Sequence, residues 1–450
     1  MTMLAKLLNK LEQFLFYFLL FAIPFQTRKI LWHQNWNFNE WQAISLYGTD
    51  ILLIILFGFW VLGRVKPKIE KYDYFLFALI AISAVSIKNS SSYILSAYNV
   101  LKLAELVVFY FYVKSYAVYK FGLIGSMTAL ICGGLFQAVI AIIQFFKQSS
   151  LGLKLLGESV LSSDLIGIAS FYNLNSEKII RAYGTTPHPN ILAAYLFLAA
   201  FSFYFVYLYF HIYHQNKIYH PKFSIFLLAS YPLILLSLFF TFARVMIFLW
   251  FAGFAARAVL VLNKKNFRRI FARGLNRVKL TKILVISAAV VVLFGVFYWP
   301  EAISRVKISS EEEAVQLRIF YNKESLKSLN WFGAGAGNFV NWLMVQDPNL
   351  PRNLYQPVHN IYLLIYSEMG ILGIAAFILF LIFLIKDFIV GTKMEKLYHY
   401  SFLILFLSFL FVGLFDHFLL TLQQGRLMFW LLCAGLTPHL WRIGGLHVHD

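Results

Sequence analysis

The chain has 450 residues, of which 60% are hydrophobic and only 13% are charged. This is too apolar for a water-soluble protein, because ordinary domains are about half apolar and about a quarter charged. A formal net charge of +19 would suggest nucleic-acid binding in a soluble protein. Here the apolar residues form continuous runs that could cross a bilayer, which indicates an integral membrane protein and excludes a nucleic-acid partner.

The apolar runs predict an all-α polytopic membrane protein with about twelve transmembrane helices. The predicted spans are residues 11–26, 46–62, 73–87, 93–113, 121–146, 190–210, 223–241, 245–262, 283–299, 360–385, 400–419 and 427–441. We expect residues 1–146 to hold helices one to five. Residues 147–450 then form a core with an outer loop at 147–189, helices six to nine, a large outer loop at 300–359 and helices ten to twelve.

The distribution of lysine and arginine predicts the orientation of the chain. With a cytoplasmic N-terminus, 23 of the 39 basic residues fall on the cytoplasmic side, including a basic run between residues 264 and 282. An even number of spans places both termini in the cytoplasm. We therefore expect a multi-pass protein of the cytoplasmic (inner) membrane. Its two long loops would lie outside the cytoplasm, over the outer face of that membrane. Long loops in a compact protein are usually functional or disordered, and the aromatics, glycines and mixed charge of these two predict folded loops.

The first outer loop ends with the segment Arg181-Ala-Tyr-Gly-Thr-Thr-Pro-His-Pro-Asn190. Asn190 is well placed to cap the helix that follows. Arg181 beside a helix N-terminus makes a natural anion site. His188 is either part of a plain helix entry or a member of that site.

Arg244 stands where the seventh predicted span turns into the eighth. Burying a charged arginine between two apolar spans inside the bilayer costs free energy, so an arginine at this position is a functional candidate. The alternative is an arginine whose charged end reaches the outer interface while its stem stays among apolar groups.

The large outer loop carries the third group of candidates. Arg318 lies in an amphipathic stretch, and Trp331-Phe-Gly-Ala-Gly-Ala-Gly-Asn338 predicts a tight turn that contains Gly337 and could form a backbone anion nest. The segment His359-Asn-Ile-Tyr-Leu-Leu-Ile-Tyr-Ser-Glu-Met-Gly370 opens the tenth span and includes Asn360. His359 and Glu368 are two and a half helical turns apart, so we expect Glu368 to support packing rather than to pair with the histidine.

Two weaker polar groups complete the set. Lys102 and Glu105 are three residues apart in the fourth span, where they could neutralise each other on one helix face or serve a proton-coupled transporter. Asp416, His417 and Arg426 surround the last outer turn and could join the outer site.

Together these segments resemble the O-antigen ligase and O-antigen polymerase (Wzy C-terminal domain) family of polytopic membrane glycosyltransferases. The resemblance rests on Arg-x-x-Gly…His-Pro-Asn before a span, on the Gly-x-Gly-x-Gly-Asn turn, and on His359-Asn-x-Tyr-Leu…Glu-x-Gly-x-x-Gly373. The layout of twelve spans with a large loop before the tenth is also similar. One departure is Ala-Arg-Val around Arg244, where the family has Ser-Arg-Gly.

The resemblance implies inverting transfer of a glycan from a polyprenyl-diphosphate carrier to an acceptor hydroxyl, in surface polysaccharide assembly. His359 would be the general base, and Arg181 and Arg244 would hold the diphosphate, with Arg318 as a further candidate. His188, Asn190, Gly337, Asn338, Asn360, Glu368 and Gly370 would support these residues. The family uses neither ATP nor an obligatory metal, so no cofactor is expected.

The resemblance leaves the acceptor open. A lipid acceptor defines a ligase, a glycan acceptor a polymerase, and a protein acceptor an O-oligosaccharyltransferase. A flippase or transporter of the same lipid-linked glycans is the alternative from another class. That alternative predicts inverted repeats and charged residues along a path through the membrane; the sequence shows one charged pair and no repeat.

Overall fold

A computed structural model of the chain describes residues 3–34, 38–165, 167–213, 221–262, 275–306, 313–328, 330–391 and 396–438. Five of the predicted basic-run cations, between residues 263 and 274, lie outside these ranges. Over the described residues the chain is mostly helical, as the sequence predicts for a multi-pass membrane protein.

The helices of the N-terminal half begin and end as follows: α1 Met3–Ala22, α2 Gly48–Leu62, α3 Asp73–Ser86, α4 Tyr93–Tyr112, α5 Val118–Phe121, α6 Leu123–Lys147, α7 Pro189–Tyr213 and α8 Pro221–Phe240. The C-terminal half has α9 Arg244–Leu262, α10 Leu275–Phe297, α11 Trp299–Val306, α12 Glu313–Leu326, α13 Phe339–Gln346, α14 Ile361–Gly391, α15 Lys396–Val412, α16 Phe418–Thr421 and α17 Gln423–Gly435. One π-helical turn, Val113–Ala117, joins α4 to α5.

Five helical segments in the described ranges are long and apolar enough to cross a membrane. They are Tyr93–Phe121, Leu123–Lys147, Pro189–Leu208, Lys222–Phe240 and Ile361–Gly391. A sixth span would arise if Thr281–Phe297 and Trp299–Arg305, which meet at 92°, were counted as one. Shorter apolar helices cover Gly48–Leu62, Arg244–Ala256 and His399–Val412. The total of twelve spans stays a prediction.

Within the described ranges, four short strands depart from the all-α expectation. β1 Arg28–His33 pairs antiparallel with β2 Ala43–Tyr47, with an irregularity between Ile30 and Trp32. β3 Ser170–Tyr172 pairs antiparallel with β4 Lys178–Ile180 in the first long loop. Both hairpins lie in connections between apolar helices, where pairing satisfies backbone groups that no helix includes.

The helices form two compact units, each built from separate stretches of the chain. The first unit comprises Met1–Thr27, Phe121–Ile308 and Glu395–Ser408. At its centre α6 packs against α1, α7 and α8. Gly133 allows a close approach, because a Cβ there would overlap the hydroxyl of Tyr195, which donates a 2.9 Å hydrogen bond to the Leu20 carbonyl. Small residues let membrane helices pack closely in this way.

The second unit comprises Arg28–Lys120, Ser309–Met394 and Phe409–Asp450. In it α14 packs against α3, α17 packs against α4, and α12 and α13 pack against α14. The large loop before α14 is therefore folded, as its composition predicts. Its core contains Tyr321, Phe339, Leu343 and Val358, all of them inaccessible to solvent.

Candidate functional site

His359 lies two residues before the start of α14 in the second unit, at the helix start that the sequence predicts. The next residue, Asn360, caps the helix: its Oδ1 accepts hydrogen bonds from the backbone N–H of Tyr362 at 2.9 Å and of Leu363 at 3.2 Å. Such a cap satisfies two of the free N–H groups at a helix start. The position of the histidine is therefore fixed by the adjacent residue.

Aromatic side chains surround the imidazole of His359. The ring of Tyr321 stacks on it, with centroids 5.6 Å apart and planes inclined by 18°. The ring of His417 meets it edge to face, with centroids 4.8 Å apart. Trp41 in turn packs edge-on against His417 at 4.9 Å. His417 is one of the weaker candidates from the sequence. Trp41 and Tyr321 could not be predicted, since nothing local in the sequence links them to His359.

The environment of His359 favours the neutral imidazole. Burial is the largest influence and lowers the pKa of His359 below its ordinary value. The Asp416 carboxylate and the Pro357 carbonyl oppose this shift, and the Arg318 guanidinium adds to it. The Nδ1 atom of His359 is buried and has no hydrogen-bond partner among the described residues. A neutral imidazole with an unused ring nitrogen can accept a proton.

His417 and Arg318 are held in place beside this ring. His417 Nδ1 and the Thr421 hydroxyl are 2.7 Å apart, which fixes the orientation of that second imidazole. Arg318 donates from Nε to the carbonyl of Phe415 at 3.2 Å, next to Asp416. The structure therefore brings Arg318, Asp416 and His417 to the surroundings of His359.

Glu368 binds the glycine-rich turn that precedes α13. Its carboxylate accepts the backbone N–H of Gly337 at 2.8 Å and of Phe339 at 3.3 Å, and its carbonyl accepts that of Gly335 at 3.0 Å. The Ala336 N–H goes to the Ser86 hydroxyl at 3.1 Å. Protein acceptors thus occupy the N–H groups that an anion nest would use, and Glu368 supports packing, as its spacing from His359 suggests.

Gly370 interrupts the helical geometry of α14. Its φ is 71° and its ψ −168°, so the helix is kinked there. A Cβ on Gly370 would overlap the backbone of Trp331, and one on Gly333 would overlap the backbone of Glu368. Positive φ and close backbone contact both require glycine. The turn and the kink therefore fit together only because these positions lack side chains.

Asn338 completes the turn with a buried polar network. Its side chain accepts the Ser92 N–H at 3.1 Å and donates to the Ser96 hydroxyl at 3.1 Å. The Asn341 amide also donates to Asn338 Oδ1 at 3.0 Å. The glycine-rich turn is therefore anchored to the start of α4.

A cavity of about 120 Å³ lies in the second unit. Its charged lining residues are Arg28, Glu40, Glu368 and Arg426, and its aromatic lining includes Trp41 and Tyr98. Arg28 and Glu40 form an ion pair at 3.4 Å. Arg426 donates to the carbonyl of Leu420 at 2.5 Å and to Asn99 Oδ1 at 3.0 Å. Arg426, which the sequence suggested as a member of the outer site, thus lines this cavity.

Lys102 and Glu105 form the ion pair that their spacing predicts, with Nζ and Oε2 2.8 Å apart. Lys102 also pairs with Asp50 of α2 at 2.5 Å, a partner that the sequence does not reveal. Asp50 in turn accepts a 2.6 Å hydrogen bond from Gln423. Three helices of the second unit are joined through this buried carboxylate, which gives the pair a structural role.

Arg181 belongs to the first unit, where it joins the end of the first long loop to the turn between α8 and α9. Its Nε donates to the carbonyl of Thr241 at 2.6 Å and its Nη2 to Asn190 Oδ1 at 2.7 Å. The Asn190 side chain therefore binds the arginine, and the expectation that it caps α7 is wrong. The helix begins one residue earlier, and His188 Nδ1 accepts the Asn190 N–H at 3.2 Å.

Arg244 is the first residue of α9 in the same unit. The preceding turn includes Phe242 at φ 46°, an uncommon conformation for a non-glycine residue. Thr241, whose carbonyl accepts from Arg181, lies in this turn, three residues before Arg244. The two predicted diphosphate ligands flank one helix–helix connection.

A comparison with protein-family models matches residues 229–378 to the family described as O-antigen ligase. This match spans 150 of the 450 residues. The matched segment includes Arg244, Arg318, His359, Glu368 and the glycine-rich turn, and it confirms the resemblance seen in the motifs. A comparison with curated proteins finds no match.

Similarity to this family indicates surface polysaccharide assembly and a glycosyltransferase-like enzyme. It also implies a lipid-linked glycan as donor, a glycan acceptor and a multi-pass membrane setting. Arg181, His188 and Asn190 precede the matched residues, so their assignment rests on the sequence motif and on their contacts.

Proposed function

We propose that the chain transfers a glycan from a polyprenyl-diphosphate carrier to an acceptor hydroxyl at the outer face of the cytoplasmic membrane. The hydroxyl oxygen attacks the anomeric carbon, the bond from that carbon to the diphosphate breaks, and the configuration inverts. The acceptor is defined here by its reacting group, a hydroxyl carried by a lipid, a glycan or a protein.

The observation that carries this proposal is the state of His359. A capped helix start fixes its position, and burial holds its pKa below the ordinary value, so the imidazole is neutral near pH 7. The buried Nδ1 has no hydrogen-bond partner among the described residues and is available to take the hydroxyl proton. General bases of this kind work best when they are unprotonated at the operating pH.

Arg181 and Arg244 are proposed to bind the diphosphate. Guanidinium groups suit this role because they form two parallel hydrogen bonds with phosphate oxygens and stabilise the charge of the leaving group. Arg181 is pre-oriented by Thr241 and Asn190. Arg318 is proposed as a further contributor, since its charge lies within the surroundings of His359.

The proposed reaction needs no ATP or other nucleotide as a source of free energy, because the donor itself supplies it. Cleavage of the glycosyl-diphosphate bond releases enough free energy to drive transfer. The lipid carrier reaches the protein from within the membrane, while the acceptor hydroxyl approaches from water. Most lysine and arginine residues fall in segments that the predicted topology assigns to the cytoplasm, and this bias supports the outer placement of His359.

The test uses the full chain, purified and placed in liposomes with a synthetic polyprenyl-diphosphate-linked oligosaccharide. We expect transfer to a hydroxyl acceptor without added ATP, with the new linkage inverted when followed by NMR. ATP-dependent movement of intact donor across the bilayer, without transfer, would contradict the proposal.

Arg181→Lys tests donor binding in the same assay. It keeps the positive charge but cannot reproduce the paired geometry of a guanidinium. We expect the KM for the donor to rise at least tenfold. Lys154→Arg, a change at an exposed loop residue, is the matched control and should leave the KM unchanged.

A further inference from the structure

The cavity of about 120 Å³ in the second unit has a lining that is formally neutral. Two arginines, Arg28 and Arg426, are balanced by two carboxylates, Glu40 and Glu368. A site for a diphosphate needs an excess of cationic donors, as phosphate recognition shows elsewhere. The balance of charge in this cavity therefore disfavours an anion and favours an uncharged polar ligand.

The lining also combines an aromatic face with hydrogen-bonding groups. Trp41 and Tyr98 supply rings, while Asn99, Glu368 and Arg426 supply donors and acceptors. A pyranose ring presents C–H groups on its faces and hydroxyls around its edge. A mainly apolar wall with a few placed polar groups is how proteins fix the orientation of a small ligand.

Hydrogen-bonding capacity remains on several of these groups. Arg426 uses Nε and Nη2 for Leu420 and Asn99, and its Nη1 has no hydrogen bond to any residue that the structure describes. Each carboxylate oxygen of Glu368 accepts one backbone N–H and keeps a further lone pair. A hydroxyl could therefore donate to the carboxylate and accept from the guanidinium.

The size of the cavity limits its occupant to one ring. An engineered protein cavity of ~150 Å³ admits benzene, and the cavity here is somewhat smaller. A hexopyranose has about twice as many heavy atoms as benzene, so the cavity would enclose one side of a single sugar ring while the rest of that ring stays outside. The cavity is too small for an oligosaccharide, so only a terminal or single residue of a glycan would enter it.

The cavity adjoins the aromatic group around His359. Two of its lining residues, Trp41 and Thr421, contact His417, which meets His359 edge to face. A third, Pro357, stands two residues before His359. An occupant would thus lie against the residues that position the proposed base.

We propose that this cavity binds one uncharged pyranose unit of the acceptor and holds it beside His359. The proposal rests on the function proposed above and adds the class of acceptor group: a neutral sugar rather than a phosphorylated or acidic one. Trp41 provides the packing surface, and Glu368 with Arg426 provides the hydroxyl contacts.

The binding test is saturation-transfer difference NMR on the full chain in deuterated detergent. The probes are the methyl glycosides of glucose, galactose, mannose and N-acetylglucosamine, with glucuronate and glucose 6-phosphate as charged counterparts. We expect saturation transfer to at least one neutral glycoside. Its amplitude should fall at least fivefold in Trp41→Ala and less in Trp41→Phe, which keeps a ring.

Two further variants guard against misfolding as an explanation. Glu40→Gln, at a half-buried side chain, unbalances the lining charge and should lower the preference for neutral over phosphorylated probes. Trp299→Ala is the matched control, since that side chain is 59% exposed and does not line the cavity. Absence of a signal from every neutral glycoside, or an unchanged signal in Trp41→Ala, would overturn the proposal.

A transfer assay separates this inference from the proposed function. The neutral glycoside with the strongest signal serves as the acceptor, and Trp41→Phe should raise its KM at least threefold without changing the KM of the donor. Transfer with an unchanged acceptor KM would refute the cavity assignment alone. Binding of the glycoside without any transfer by the wild-type chain would refute the proposed function and leave sugar binding in place.

Discussion

The imidazole rings of His359 and His417 lie 4.8 Å apart, centroid to centroid, with their planes inclined by 76°. Neither ring can turn freely, since Tyr321 covers His359 and both Thr421 and Trp41 contact His417. The proposed base therefore has a preset orientation, which is a condition for efficient proton transfer to a positioned group.

We predict that His417 positions His359 without taking part in proton transfer. His417→Ala should lower kcat for glycan transfer by about tenfold to a hundredfold, because small misplacements of reacting groups have effects of this order. His417→Phe keeps an edge-to-face contact and should retain more of the rate. Steady-state kinetics of the two variants provide the measurement.

The pH profile distinguishes this role from a catalytic one. If His417 only positions its neighbour, the acid limb of kcat against pH should keep its midpoint in His417→Phe. Loss of the acid limb in that variant would show that His417 itself carries the titrating proton.

We also predict that transfer stays active in mildly acidic solution. His359 acts as the unprotonated imidazole, and burial lowers its pKa, so the rate should fall only when the pH drops below the ordinary histidine value. Removing the cation in Arg318→Gln raises the pKa and moves the acid limb to higher pH. Removing the anion in Asp416→Asn lowers the pKa and moves the limb to lower pH.

The readout of this prediction is the midpoint of kcat against pH, which is independent of any change in the maximal rate. Arg352→Gln, at an exposed arginine of the same large loop, is the control and should leave the midpoint in place. Shifts in the same direction for Arg318→Gln and Asp416→Asn would contradict the electrostatic account.

Gly370 should be among the least replaceable residues of α14. In Gly370→Ala the new methyl group meets the Trp331 backbone at a positive φ, so we expect a loss of at least about 2 kcal/mol in the free energy of unfolding. Thermal unfolding of the detergent-solubilised chain measures it. Gly58→Ala is the matched control: its methyl would meet nothing within 4 Å, and alanine favours a helix interior by about 0.5–1 kcal/mol. Equal stability of the two variants would refute the role of the kink.

Local patterns in the sequence correctly predicted features that depend on neighbouring residues, such as the start of a helix or an ion pair along one helix face. The apolar run at 360–385 became α14, and Asn360 caps that helix directly after His359. The pairing of Lys102 with Glu105 followed from helical spacing alone. The wrong prediction that Asn190 caps α7 came from a boundary error of one residue. Because α7 begins at Pro189, Asn190 falls inside the first turn and binds Arg181.

Contacts between distant parts of the chain were beyond such patterns. Asp50 reaches Lys102 and His417 reaches His359 because helices from separate segments pack together. The amides of the glycine-rich turn suggested an anion nest, but α14 supplies their acceptors through Glu368. A sequence pattern shows which groups are available, whereas packing decides what they bind.

The most direct test of the account is the single-turnover rate of His359→Ala with a synthetic polyprenyl-diphosphate-linked donor in liposomes. A general base contributes about a hundredfold to ten-thousandfold, so we predict a loss of that size in the rate of transfer, with donor binding retained. His33→Ala, at an exposed histidine, should react like the wild-type chain. Transfer by His359→Ala at the wild-type rate would contradict the account.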